Sequence, residues 1–188
     1  MEKSIKFFLD VVAEGISLES GLLFEIQRAA ELAAYRKGEF WLSRGKRIGD
    51  IAFIITGCAM GYRYENRVQN VTKLWNSNEV IIEGCSLLPK RHPDDRVIFL
   101  EDSELLIFSI KMLESIQDRF PGTRNLIKHL LAIALDKEHN LLYQLKFRKA
   151  ADRLRIAQKD YSKPFNLLTA TQKSSYLGVS RQSFYNLI

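Results

Sequence analysis

The sequence predicts an α+β chain: an antiparallel β sandwich or roll flanked by helices, then one long helix, then a helix-turn-helix. Three observations predict it. Short β-like segments between residues 38 and 109 are punctuated by Gly38, Gly45, Gly49, Gly57, Gly61 and Gly84. From Thr123 an apolar stripe keeps helical spacing for about six turns. The last twenty residues, Thr169 to Ile188, carry the start and stop signals of two short helices.

Residues 1 to 36 read as helical. Ile5, Phe8, Leu9 and Val12 recur at helical spacing, and after a break at Gly15–Ser20 so do Leu22, Leu23, Ile26, Ala29, Ala30 and Ala33. The pattern changes at Arg36-Lys37-Gly38-Glu39. Ile51 to Ile55 reads as a buried strand, Met60 to Tyr64 and Val71 to Trp75 as half-exposed strands, and Val97 to Leu100 and Leu105 to Ser109 as buried ones. Helix returns at Lys111 to Arg119 and stops at Phe120-Pro121-Gly122. In the long helix Ile127, Leu130, Leu131, Ala134, Leu141, Leu142 and Leu145 lie three, four or seven apart. One small domain is too short to cover such a stripe, and a partner helix across a two-fold axis would. Pro164 marks a further break.

The 188 residues are 46% apolar and 27% charged, enough to bury a core. No run reaches the ~18 apolar residues of a membrane span, and Met1–Val12 lacks the cleavage site of a signal peptide, so the expectation is cytoplasmic, with no membrane partner. Cys58 and Cys85 form no C-x-x-C pair and read as two small buried hydrophobes. The charge is unevenly placed. Residues 146 to 188 hold nine basic side chains against Asp152 and Asp160, a balance of +7, which leaves −1 for the first 145 residues. Positive charge confined to one small segment is the footprint of a polyanion binder.

Thr169-Ala170-Thr171-Gln172 has the form of a capping box, opening a helix that runs to Leu177. Gly178 supplies the left-handed residue that ends it. Val179 fills the space between two helices, and Ser180 caps a second one from Arg181 to Ile188. Phe184, Leu187 and Ile188 give that helix an apolar face. Arg181, Gln182, Ser183, Tyr185 and Asn186 are left exposed, and Arg, Gln and Asn can each bond purine edges in the major groove. With Ser180 these are the candidate DNA-binding residues.

Tyr176-Leu177-Gly178-Val179-Ser180-Arg181-Gln182-Ser183-Phe184 resembles the helix-turn-helix of Crp/Fnr regulators. Lys37-Gly38-Glu39, Gly45 and Phe53-Ile54-Ile55-Thr56-Gly57 resemble the cyclic-nucleotide-binding β-roll of the same family. Pro93 to Arg96 followed by Leu100 to Leu106 is similar to the divergent members common in Bacteroidetes. The resemblance covers nearly the whole chain. It implies a double-stranded, jelly-roll-like sensor roll over 1–122, a dimerisation helix over 123–145 and a DNA-binding domain over 146–188. Two positions depart from the family pattern. Lys173 and Ser174 stand where an apolar residue and Ala are usual, which weakens packing inside the motif.

The family's phosphate-binding cassette has Gly-Glu-x-x-Leu, then an Arg and a hydroxyl residue about ten positions later. Glu83-Gly84-Cys85-Ser86-Leu87 matches the start with Gly and Glu exchanged, but Pro93-Asp94-Asp95 stands where Arg and Ser belong. The candidate ligand pocket is therefore Glu83, Gly84, Cys85 and Ser86, with Arg91 and Arg96 as substitutes for the missing anchor. Cyclic-nucleotide binding is expected to be lost, because the two carboxylates repel a phosphate. His92, His129 and His139 form no ligand cluster; the last two lie some 80° apart on one helix. Two cysteines are too few for an iron–sulfur sensor. With no phosphate loop or nucleophile elbow, neither an enzyme nor a metal or other cofactor is expected. The expectation is a homodimeric transcriptional regulator answering to an unknown small-molecule effector. The alternative is a small-molecule-binding or cyclic-nucleotide-binding regulatory module whose helix-turn-helix no longer grips DNA.

Overall fold

A computed structural model describes residues 2–12, 20–42, 50–82 and 95–188. Its elements run α1 (Glu2–Val12), α2 (Ser20–Ala29), β1 (Glu31–Tyr35), β2 (Phe40–Leu42), β3 (Asp50–Thr56), β4 (Ala59–Glu65), β5 (Val68–Trp75), β6 (Val80–Ile81), β7 (Arg96–Phe99) and β8 (Ser103–Ser109). Six helices follow: α3 (Ile110–Ile116), α4 (Gly122–Phe147), α5 (Ala150–Asp160), α6 (Ser162–Leu167), α7 (Ala170–Tyr176) and α8 (Arg181–Tyr185).

The strands form two four-stranded antiparallel sheets, ordered β1-β8-β3-β6 and β2-β7-β4-β5. Side chains alternate across each strand, and here both faces are covered. Ala52, Ile54, Trp75, Ile81, Val97, Phe99 and Leu105 point between the sheets and form the inner core. On the outer face of the first sheet, Ile51, Phe53, Val80, Leu106 and Phe108 pack under α1, α2, α3 and the start of α4. Phe8 stacks on Phe108 and Phe53 with ring centroids 4.7 and 5.2 Å apart. On the outer face of the second sheet, Met60, Tyr62, Val71 and Leu74 pack under α5, α6, α7 and α8. Burial on both faces is why Ile51 to Ile55 reads as one apolar run rather than an alternation.

Four expectations need correction. Residues 31–35 are not helix but β1, paired along β8 with Leu32 opposite Leu106. Glu-Leu-Ala-Ala-Tyr suits a helix, but the open edge of β8 captures it, and Tyr35 stacks on Phe99 at 4.7 Å. Pro164 breaks nothing. It lies in the first turn of α6, where a missing N–H costs no hydrogen bond, and the break falls at Tyr161. The α4 stripe does not share one face. Leu130 is buried with Leu126 in the first-sheet core and Leu141 packs on the second-sheet core, whereas Leu135, Leu142 and Leu145 are exposed. The second helix of the motif is shorter than Arg181–Ile188: it ends at Tyr185, and Ile188 is exposed rather than part of its apolar face. Among the described residues no helix is long and apolar enough to cross a membrane.

Candidate nucleic-acid interface

The capping box forms as the Thr-x-x-Gln spacing requires. The Gln172 N–H donates to Thr169 Oγ1 at 3.3 Å, and the Thr169 N–H donates to Gln172 Oε1 at 2.9 Å. Both bonds satisfy N–H groups that a helix start leaves free. At the other end of α7, Gly178 takes φ +63°, which L side chains rarely adopt, and Val179 N–H donates to the Ser174 carbonyl at 3.0 Å. Ser180 then caps α8 by accepting from the Ser183 N–H at 3.0 Å. Phe184 anchors α8 from its buried face, and Val179 and Leu187 pack beside it.

Arg181, Gln182, Ser183, Tyr185 and Asn186 all lie exposed on α8, together with the capping Ser180. Gln182 Nε2 donates to Asn186 Oδ1 at 3.3 Å, one turn on, so the two amides present a joined polar surface. Lys173 does not leave a hole in the motif: its ammonium stands 5.4 Å over the Phe165 ring. Ser174 is buried with its hydroxyl donating to the Thr171 carbonyl at 2.9 Å, so it costs no unpaired polar group.

The module is bonded to the roll as well as packed on it. The Val71 N–H donates to Ser175 Oγ at 2.9 Å, Gln172 Nε2 to Gln69 Oε1 at 3.0 Å, and Asn76 Nδ2 to the Asp160 carbonyl at 2.8 Å. Lys163 Nζ lies 2.6 Å from Glu101 Oε1, and that bond holds the exposed Lys163 ammonium above its ordinary range. The buried Cys58 thiol faces Glu101 from inside the roll; burial, and then the neighbouring carboxylate, push it up to about 12.

Of the expected ligand-pocket residues, Glu83, Gly84, Cys85, Ser86 and Arg91 lie outside the described residues. Arg96 is described and does not face the roll interior. Its neighbour Val97 does, so Arg96 points outward, with its guanidinium 5.3 Å over the Tyr64 ring. Asp95 is buried and already compensated. Arg63 Nε donates to it at 2.7 Å and Thr72 Oγ1 at 2.8 Å. A cavity of about 170 Å³ lies elsewhere, between the β5–β6 turn and α4, with Glu79 and Lys137 in its wall. Sequence reasoning missed it, because Lys137 and Glu79 are 58 positions apart and no local spacing links them.

No known protein family and no curated protein matches the chain. Solved structures do. A putative transcriptional regulator of the crp/fnr family from Eubacterium rectale superposes with a TM-score of 0.69 at 13% identity, over 90% of this chain and 82% of its own. FixK2 from Bradyrhizobium japonicum gives 0.67 at 13%, over 84% and 82%. The c-di-GMP responsive global regulator CLP from Xanthomonas campestris gives 0.66 at 15%, over 90% and 89%. Roll, long helix and helix-turn-helix thus recur in one order across nearly the full length of each, and the chain has the fold of the Crp/Fnr transcriptional regulators.

Proposed function

We propose that this chain is a transcriptional regulator of the Crp/Fnr type that binds DNA as a homodimer through α8. The observation that carries the reading is the exposed set Arg181, Gln182, Ser183, Tyr185 and Asn186 on a capped helix-turn-helix, within a segment of charge +7. Arg–guanine and Asn or Gln–adenine pairs are the commonest direct contacts in the major groove, and the surrounding lysines and arginines attract phosphates. The domains are then the roll over 1–122, the dimerisation helix over 123–145 and the DNA-binding module over 146–188.

The dimer seam is the outward face of α4. Leu131, Leu135, Leu142 and Leu145 follow a four–three repeat interrupted by Glu138, and Leu135 and Leu142 are 66% and 51% exposed. The roll acts as a sensor for something other than a cyclic nucleotide, since Arg96 is turned away from its interior. Selection of bound sequences from a randomised DNA pool, followed by gel-shift at two salt concentrations, tests the reading. A two-fold symmetric consensus is expected; equal affinity for every sequence, or no binding at low salt, overturns it.

A further inference from the structure

The cavity beside α4 combines an apolar wall with two ion pairs. Val80, Ile82, Ile133 and the Trp75 ring supply the wall. Lys137 Nζ bonds Glu79 Oε2 at 2.6 Å, and Lys73 Nζ bonds Glu138 Oε1 at 2.7 Å. Lys137 is largely withdrawn from water, and desolvation holds its ammonium below the ordinary range despite Glu79. An apolar residue of similar volume would usually stabilise such a spot as well or better. The pair is therefore better explained by what it binds than by what it holds.

We propose that this cavity binds a small zwitterion with an apolar side chain, of the amino-acid class, and that the ligand competes with the Lys137–Glu79 pair. Size, wall and charge each restrict the occupant. A cavity of about 150 Å³ takes a benzene-sized molecule, so 170 Å³ holds a branched aliphatic side chain with its α-carbon. The two ammonium groups and two carboxylates balance. A ligand with one charge would leave a protein charge unmatched against an apolar wall, whereas a zwitterion meets both signs.

The ligand's carboxylate meets Lys137 and Lys73, and its ammonium meets Glu79 and Glu138. Lys137 also stands 5.0 Å from the Tyr161 ring, at the junction of α5 and α6, and 5.5 Å from Trp75. It is thus shared by the cavity, the sheet and the C-terminal module, and drawing it toward a ligand loosens its hold on Tyr161. This last coupling rests on the regulator reading; the binding does not.

Calorimetry with L-leucine tests the site, with 4-methylpentanoate and 3-methylbutylamine as analogues lacking one charge each. Leucine is expected to bind at about 1 mM or tighter, and each analogue about tenfold more weakly. Glu138→Gln should weaken leucine about tenfold. Ala134→Leu should abolish the heat by filling the cavity while circular dichroism stays unchanged. Absence of saturable heat from leucine and valine overturns the site, and equal binding of 4-methylpentanoate overturns the zwitterion. Leucine binding by a chain that binds no DNA would sink the regulator reading and leave the site standing.

Discussion

Gly178 in the turn of the helix-turn-helix packs against Leu145 in the last turns of α4: a Cβ on Gly178 would stand 2.9 Å from Leu145 Cδ2. Two demands meet there, a left-handed backbone and a close approach. Gly178→Ala should destabilise the protein by about 1–2 kcal/mol, mostly from the positive φ. Leu145 ends in a flexible side chain that can move aside, so adding Leu145→Ala should recover little. Chemical denaturation of the single and double variants checks this, and full recovery would assign the cost to the contact instead.

Arg181→Ala and Gln182→Ala should each weaken binding to the preferred site by about 1–3 kcal/mol and leave binding to random DNA nearly unchanged. Equal losses on both kinds of DNA would place these side chains on phosphates.

Replacing Leu135 and Leu142 by Glu should give folded monomers, because both side chains project away from their own chain. Leu130→Glu should instead unfold the chain, since it places an unpaired carboxylate among Leu126, Leu113 and Phe108. Sedimentation and circular dichroism separate the two outcomes. A wild-type monomer at micromolar concentration would remove the seam.

Cyclic AMP should produce no saturable heat in calorimetry. A phosphate entering the roll would lose water without meeting Arg96, which is stacked on Tyr64 outside it. Micromolar binding, abolished by Arg96→Ala, would mean that the guanidinium swings inward.

Cys58 sets an alkaline limit. Its folded thiol is raised above the unfolded one, so the folded state keeps a proton that the unfolded state releases, and the stability is intact below the unfolded value of 9.0. From there to about 12 stability should fall by about 1.4 kcal/mol per pH unit for this group. Urea midpoints between pH 8 and 11 measure the slope, and Cys58→Ala should flatten it. A slope unchanged by that substitution assigns it to other groups.

What could be read from sequence was local. The capping box spans Thr169 to Gln172 and the second cap spans Ser180 to Ser183; each closes within three residues, so spacing alone announces it. The edge strand β1 could not be read in this way. Its partner β8 lies some seventy positions later, and a short stretch of Leu and Ala obeys its neighbours rather than its own propensity. The α4 stripe was visible as a period, but a period does not say whether Leu130 faces its own core and Leu135 faces out. Arg63 with Asp95, and Lys137 with Glu79, are joined only by the folding of the roll.

The bond from the Val71 N–H to Ser175 Oγ closes an exposed border. β5 is the last strand of its sheet, and its outward N–H groups are the kind that invite another chain to add itself. Helix α7 lies along that border and occupies it. The helix-turn-helix therefore guards the roll against sticking to its own copies, and a chain cut before α5 would trade a soluble sensor for an aggregating one.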